Sequence, residues 1–384
     1  MSNAVKRIVF GAGLLLCASV PAAQEAACIQ WDAPQPDVAR PDAGLDILPD
    51  VEHYTIFPGS QELGMFNHGP MVRFFNGRLF VTWFSHDKYE GAAGTRMLFS
   101  FSKDLRTWSE PTVLFDSIGP MAEKGIPGTG IYGGFEEVNG RLYSVAQVKE
   151  IVQWNKEKTL VPVHKDVGLI ARRIHDDGTF GALRFWLADQ IPEGYENEGI
   201  LSCLQAEDDA TREDLIALKK IREDRSRRYS FPEIEDEGVA FCEPTYFIRS
   251  DGKEVGVYRD LSRSMRLYAA LRDPKTDKWS IAKKTNIPDS PSKTASGVLP
   301  DGSVFLVGNF LDKLWQRDPL LFVRSRDGIH FDQAGVLRAG AAYPRERHAG
   351  DHKGQGFQYP NATVTEDSVW VTYSISKEQI AISR

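Results

Sequence analysis

Two histidines and one arginine are the residues of this chain best suited to carry out chemistry. His68 and His86 lie eighteen residues apart, and Arg259 follows much later in the chain. The imidazole ring is the side chain suited to proton transfer near neutral pH. A guanidinium group can hold a carboxylate through two parallel hydrogen bonds. If the fold brings the three residues together, they could move a proton beside a negatively charged substrate, and we predict that all three are catalytic.

A turn followed by an apolar strand recurs along the chain and indicates which elements position these residues. Asn-Gly and Asp-Gly pairs tolerate the positive φ values of tight hairpins, so each turn predicts two antiparallel strands. The copies begin at Asn76-Gly77, Asn139-Gly140, Asp251-Gly252, Asp301-Gly302 and Glu366-Asp367. Repeats of several short strands are typical of a β-propeller.

The spacing of the turns predicts the number of blades. Five blades are visible, and the interval of 112 residues between Asn139 and Asp251 is wide enough for one more. We therefore predict an all-β fold, a single β-propeller of six four-stranded antiparallel blades, with five and seven left open. Residues 51–57 could pair with the last strand and close the ring, which would remove exposed sheet edges.

The remaining segments predict an exported protein with one insertion. Lys6 and Arg7 precede a short apolar run that ends in small residues, a pattern typical of a secretory signal peptide at residues 1–22. We expect a periplasmic or secreted protein without a membrane anchor. Residues 23–50 are predicted to form a linker and residues 51–384 the propeller. Residues 206–228 are charged, lack a strand pattern and predict a helix inserted in a surface loop.

Composition narrows the class of protein further. The formal net charge is -7, and 42% of the residues are hydrophobic, which excludes a disordered chain. The acidic balance argues against nucleic acid as a partner, and we expect a monomer. Removal of the signal peptide leaves three cysteines, which permit at most one intramolecular disulfide; they are Cys28, Cys203 and Cys242.

Up-and-down connectivity predicts that one face of the propeller collects the polar residues. Segments that precede the first strand of a blade, or follow its second strand, meet at one rim because neighbouring strands run antiparallel. Hydrogen-bonding groups with aromatic platforms are typical of a carbohydrate site. We predict that six residues of these segments bind the sugar: Tyr132, Glu243, Tyr246, Lys293, Gln358 and Tyr359.

Several motifs resemble those of the sialidase superfamily, from about Phe66 to the C-terminus. The segment from Ser102 to Trp108 resembles an Asp-box, whose aspartate closes a turn and has a structural role. Further similar segments are Glu243-Pro244-Thr245-Tyr246, Tyr258-Arg259-Asp260 and Arg317-Asp318-Pro319-Leu320. Exo-sialidases of this superfamily use three arginines, a Tyr–Glu nucleophile pair and an Asp acid. Their Phe-Arg-Ile-Pro segment is absent here, and Val72-Arg73-Phe74-Phe75 is a poor substitute.

A second branch of propeller enzymes is similar in carrying two histidines about twenty residues apart in the first blade. That branch includes ulvan lyases and enzymes that cut rhamnose–glucuronic acid linkages. The resemblance implies β-elimination on an acidic polysaccharide or oligosaccharide, with His86 as base and possible acid. His68 would be its partner or a substrate ligand, and Arg259 would hold the uronate carboxylate.

This lyase is our first prediction, and two alternatives stay open. The first alternative is a glycoside hydrolase of the sialidase or rhamnosidase type, and the second is a glycan-binding propeller without activity. We predict no required cofactor, although a divalent cation such as calcium could share the neutralising role. No cluster of metal ligands stands out in the sequence.

Overall fold

A computed structural model describes residues 28–90, 92, 94–118, 129–153, 163–186, 190–196, 199–203, 205, 208–228, 231–340 and 353–384. The predicted signal peptide lies outside these residues. Within them, strands form five large sheets arranged as the blades of one β-propeller. The prediction of six blades was therefore wrong, while the all-β propeller is confirmed.

Each blade is built from strands that are mostly consecutive in the chain. The first blade contains β3 (Phe66–Phe75), β4 (Arg78–His86), β5 (Arg96–Ser102) and β6 (Thr112–Phe115). The second contains β7 (Thr129–Val138), β8 (Arg141–Gln153), β9 (Val163–Ile174), β10 (Leu183–Phe185) and β11 (Ile200–Ser202). The third contains β12 (Phe241–Ile248), β13 (Glu254–Asp260), β14 (Arg266–Asp273), β15 (Lys278–Trp279) and β16 (Lys283–Pro288).

The last two blades have four strands each. The fourth contains β17 (Ala295–Val298), β18 (Val304–Gly308), β19 (Leu320–Ser325) and β21 (Gln333–Arg338). The fifth contains β22 (Phe357–Val364), β23 (Val369–Ile375), β24 (Gln379–Ser383) and β2 (His53–Phe57). Because β2 pairs antiparallel with β24, an early strand closes the ring, and this expectation is confirmed.

The wide interval between the second and third hairpin turns contains no sixth blade within the described residues. Its length is taken up by the long strands β8 and β9, of 13 and 12 residues, and by the helix α1 (Asp209–Arg228). Leu215 and Leu218 of α1 are buried. Asp214 accepts hydrogen bonds from Asn139, Arg141 and Tyr143 of the second blade. The helix is thus packed onto the propeller by apolar contacts and by a buried carboxylate.

The segment before the first blade also packs against the propeller. The short strand β1 (Gln30–Trp31) pairs in parallel with β20 (His330–Phe331). Ile29, Trp31 and Ala43 are buried in the apolar core between the third and fourth blades. Residues 28–50 therefore add to the core as well as connecting to the ring. Within the described ranges, no helix has the length and apolar character needed to cross a bilayer.

Hairpin and Asp turns mark the ends of the strands. Asn76-Gly77 and Asn139-Gly140 have positive φ at both residues, between 47° and 73°, as the tight turn requires. Asp104 accepts the backbone N–H groups of Arg106 and Thr107. In the second blade the corresponding turn is closed by Asp177, which accepts the backbone N–H group of Thr179.

Candidate active site

Three inner strands break their register at equivalent points and turn side chains toward the centre of the ring. The breaks lie between His68 and Met71 in β3, between Cys242 and Thr245 in β12, and between Gln358 and Asn361 in β22. Each break contains a residue of positive φ followed by proline: Gly69-Pro70, Glu243-Pro244 and Tyr359-Pro360. A β-bulge re-aims a side chain in this way. The bulges of the three blades all lie at one site.

Glu243, Arg259 and Tyr359 form the centre of that site. Arg259 Nη1 donates to Glu243 Oε2 at 2.5 Å and to Tyr359 Oη at 3.2 Å. Glu243 and Tyr359 keep φ values of 49° and 56°, a left-handed conformation that costs free energy for side chains other than glycine and is frequent at functional sites. Strand ends from two different blades thereby hold the phenol, the carboxylate and the guanidinium together.

Burial and the neighbouring charges set the protonation states of these three side chains. Burial would lower the pKa of Arg259, but the Glu243 carboxylate raises it above its usual range. Burial, and next the Glu243 carboxylate, raise the pKa of Tyr359 well above that of free tyrosine, although Arg259 acts in the opposite sense. The phenol is therefore protonated at neutral pH. A carboxylate within its hydrogen-bonding reach can accept that proton.

Arg317 belongs to the same site and was missing from the predicted residues. It is 8% exposed, and it donates to Ser292 Oγ at 2.9 Å and to the Pro291 carbonyl at 3.0 Å. The indole of Trp315, half exposed, contacts the guanidinium groups of both Arg317 and Arg259, with ring centroids 5.6 and 5.8 Å away. The Arg317-Asp318-Pro319-Leu320 motif was the signal in the sequence that could have identified it.

His68 lies at the base of the site against Tyr359. Its ring is fully buried, with its centroid 4.0 Å from that of Tyr359, and its Nδ1 is 2.7 Å from Ser374 Oγ. Burial, followed by the charges of Lys377 and Arg317, lowers the pKa of His68 well below its usual value. His68 is therefore neutral. Within the described residues its Nε2 has no hydrogen-bond partner.

His86 lies on the neighbouring strand and its ring closes a turn. It pairs across the sheet with Phe66, whereas His68 pairs with Phe84, so the two histidines are offset by two positions on one face. His86 Nδ1 accepts the backbone N–H groups of Lys88 and Tyr89, each at 3.0 Å. That nitrogen is thus engaged in local structure. The described contacts bring His68 to Arg259 and Tyr359 and place His86 at the rim.

The other predicted sugar ligands have different surroundings. Tyr246 packs in an aromatic cluster with Tyr258 and Trp279. Gln358 is buried, and its Nε2 donates to the Gly354 carbonyl. The backbone of Tyr132 lies in β7, but its side chain lies outside the described residues. Lys293 is partly buried in the site, with Nζ 3.9 Å from Met71 Sδ.

Two further buried charged groups border the site. Asp289 is 1% exposed and accepts the Ser292 N–H at 3.1 Å, and burial raises its pKa to about 7. Lys377 Nζ donates to Glu90 Oε2 at 2.6 Å. No group of three or more histidine, cysteine or acidic side chains in the described part of the chain could hold a metal ion.

Comparisons with known proteins agree with the propeller fold. The family model described as a BNR repeat-like domain matches residues 77–371. No curated protein matches the chain. Solved structures with similar folds include a sialidase, with a TM-score of 0.74 and 18% identity over 93% of this chain and 35% of that chain.

Two further structures are similar over most of this chain. A Trypanosoma rangeli sialidase in complex with sialic acid has a TM-score of 0.53 and 11% identity over 89% of this chain and 60% of that chain. An intramolecular trans-sialidase from Ruminococcus gnavus has a TM-score of 0.51 and 11% identity over 88% and 95%. The chain thus spans about a third of the sialidase with the TM-score of 0.74 and three fifths of the Trypanosoma rangeli sialidase. At such identities the likeness is one of fold.

Proposed function

The chain belongs to the BNR repeat-like domain family, and we propose that it is a glycoside hydrolase of the sialidase-like type that acts on an acidic sugar. The observation that carries the proposal is the contact of the Tyr359 phenol with Arg259 beside the Glu243 carboxylate. A tyrosine becomes a nucleophile when an adjacent base can take its proton. The sialidase structures with similar folds are in keeping with this assignment.

In the proposed reaction Glu243 accepts the phenolic proton as Tyr359 Oη attacks the anomeric carbon of the sugar. The bond from that carbon to the leaving oxygen breaks, the leaving oxygen takes a proton from solvent, and a glycosyl–tyrosine intermediate forms. Water then attacks the same carbon and gives one proton to solvent, and the proton held by Glu243 returns to the tyrosine oxygen. Because Tyr359 is protonated at neutral pH, the reaction depends on the carboxylate beside it.

Arg259 and Arg317 would hold the carboxylate of the sugar. Both guanidinium groups are buried, and Arg317 is held by neutral oxygens rather than by a carboxylate, so its charge is available to a substrate anion. Charged hydrogen bonds of this kind are strong in a site shielded from water. The half-exposed Trp315 beside both arginines would supply an apolar platform for the ring.

Covalent trapping tests the proposal directly. Wild-type protein incubated with 2,3-difluorosialic acid should gain the mass of one sugar, and peptide mapping should place it on Tyr359. Tyr359→Phe should gain none, and Asp104→Asn, far from the site, should label like the wild type. A sugar attached elsewhere, or release of sugar without labelling, would contradict the assignment of the nucleophile.

The contact of His68 with Tyr359 favours a second candidate function, a uronate lyase. A neutral histidine and a tyrosine 4.0 Å apart by ring centroids could share the proton transfers of β-elimination, with the arginines neutralising the uronate carboxylate. A lyase leaves an unsaturated uronate that absorbs ultraviolet light, whereas a hydrolase releases a reducing sugar without new absorbance. Both signals measured on one set of acidic polysaccharides distinguish the two reactions, and binding with neither signal would favour a glycan-binding propeller.

We also propose that the protein acts outside the cytoplasm as a monomer on an acidic oligosaccharide or polysaccharide. The sequence pattern of residues 1–22 supports export. Fractionation of cells that express the full chain, followed by mass determination of the mature N-terminus, tests this. Retention of residues 1–22 on cytoplasmic protein would contradict it.

A further inference from the structure

Lys293 differs in its partners from Lys377 and Arg259, two other cations of the site. Lys377 is paired with Glu90 at 2.6 Å, and Arg259 is paired with Glu243 at 2.5 Å. Within the described residues, the contact of Lys293 Nζ is the thioether sulfur of Met71 at 3.9 Å, and no carboxylate lies within 4.0 Å of it. A thioether is a weak acceptor for an ammonium group.

An ammonium group in this position has lost hydration without gaining an anion. Burial lowers the pKa of Lys293, and the more distant Glu243 carboxylate opposes that shift only in part. Cations withdrawn from water are usually paired, because the lost hydration is costly. An unpaired lysine beside a candidate substrate site lowers the stability of the folded protein. Such a loss of stability is common at sites where a charged group binds a ligand.

The position of Lys293 separates it from the two arginines. Arg317 is held by Pro291 and Ser292 and lies over Trp315. The Lys293 side chain instead reaches Met71, which belongs to β3 in the first blade. Both guanidinium groups lie over the Trp315 ring, whereas the Lys293 ammonium group reaches the first blade. A carboxylate held by the arginine pair leaves the charge of Lys293 for a different group.

We propose that Lys293 binds a second anionic group of the substrate, so that the site prefers glycans that carry two negative charges. One is the sugar carboxylate at Arg259 and Arg317, and the other is a carboxylate or a sulfate at Lys293. The inference rests on the arginine-bound carboxylate of the proposed function and names the class of substrate more closely.

Binding measurements on matched ligands test this inference. The ligands are 3′-sialyllactose, its 6-O-sulfated form and disialyllactose, titrated calorimetrically into Tyr359→Phe protein so that turnover does not interfere. The sulfated and disialylated ligands should each bind at least tenfold more tightly than 3′-sialyllactose. Lys293→Met in the same background should weaken binding of the two dianionic ligands at least tenfold more than binding of 3′-sialyllactose, so that the three affinities become similar. Tighter binding of only one of the two dianionic ligands would identify sulfate or carboxylate as the second group.

Two controls keep the result interpretable. Arg317→Met should weaken all three ligands by a similar factor, because they share the first carboxylate. Lys293→Met should melt at the same or a higher temperature than its parent, since an unpaired charge has been removed. Equal affinity for ligands with one and two charges, an equal loss of all three with Lys293→Met, or no binding of any of them would overturn the inference. Preference for the dianionic ligands without turnover by the wild type would overturn the hydrolase alone.

Discussion

The Asp turns and the central site both depend on acidic side chains, yet their carboxylates are in opposite physical states. Asp104 is exposed, and backbone and hydroxyl donors of Thr107 and Arg106 lower its pKa below the usual range. Asp289 is 1% exposed, and burial raises its pKa to about 7. The first carboxylate is ionised and occupied by its own turn.

This difference shows how the propeller separates structure from function. A carboxylate whose lone pairs are filled by neighbouring N–H groups is stabilised as an anion and is a poor proton acceptor. At the central site the carboxyl groups of Glu243 and Asp289 instead lie near arginines, and Glu243 also lies near the Tyr359 phenol, in a poorly hydrated environment. In the proposed reaction Glu243 exchanges a proton with Tyr359, and Arg259 exchanges its partner for the substrate. Four predictions test this contrast, in order of decreasing effect.

Loss of the phenol should have the largest effect. Tyr359→Phe should lower kcat/KM for an acidic aryl glycoside by about 10³-fold or more, because the nucleophilic oxygen is removed while the ring is kept. Asp104→Asn should leave kcat/KM within about twofold. Steady-state rates measured with purified variants of equal melting temperature check this. A Tyr359→Phe enzyme with near-normal activity would remove the tyrosine from the mechanism.

Asp289 should make the stability of the protein fall as pH rises. Its pKa in the folded state, about 7, lies above the ordinary value of 3.8, so the folded state holds the proton more tightly than the unfolded state does. The stability contributed by the protonated carboxyl is present below pH 4 and lost toward pH 7, by about 4 kcal/mol. Asp289→Asn should lack this loss. Denaturant unfolding of both proteins between pH 4 and 8 measures the difference, and parallel curves would contradict the raised pKa.

Substitution of Arg317 should impair recognition of the acidic group. Arg317→Met should lower kcat/KM by about 10²-fold for a carboxylate-bearing substrate, because a charge-assisted pair of hydrogen bonds is lost. Arg317→Lys should recover only part of the activity, since an ammonium group cannot reproduce the forked geometry. Arg324→Met, a surface variant, serves as the control. Equal activity of the three variants would show that Arg317 does not contact the substrate.

Disruption of an Asp turn should have the smallest effect. Asp104→Ala leaves two backbone N–H groups to water at an exposed turn, which lowers the melting temperature by a few degrees at most. Catalysis by the folded fraction should be unchanged. Thermal unfolding and the Michaelis constant, measured together, check both statements. A raised Michaelis constant in Asp104→Ala would show that the two regions are coupled.

Much of the architecture could be predicted because it depends on local rules. Asn76-Gly77 and the equivalent turns predict hairpins, since few residues other than glycine, asparagine and aspartate adopt positive φ without strain. The number of blades could not be predicted in the same way. An interval of 112 residues is compatible with a further blade or with longer strands and a helix. In the folded protein this segment forms a helix, because Leu215 and Leu218 are buried against the second blade.

The candidate site was predictable only in part. Glu243, Arg259, Lys293 and Tyr359 were expected at the mouth from the order of the strands. The structure joins Glu243 and Tyr359 through Arg259, and it places Lys293 against Met71. His68 was expected as the partner of His86 or as a ligand of the substrate, and the structure shows its ring fully buried against Tyr359. Arg317 lies in the loop between β18 and β19, which connectivity places on the same rim, but it is far along that loop from the end of β18 and was not among the residues selected.

By itself, the sequence determined the repeat, its turns and the family, because hairpin turns and alternating strands depend on residues close in the chain. The tertiary structure decided which polar residues share a site. The bulges at His68, Glu243 and Tyr359 are separated by more than a hundred residues each, and they meet only because the ring closes. Their charge states also depend on that closure, since burial beside Arg259, Arg317 and Lys293 is a property of the assembled mouth and not of any one blade.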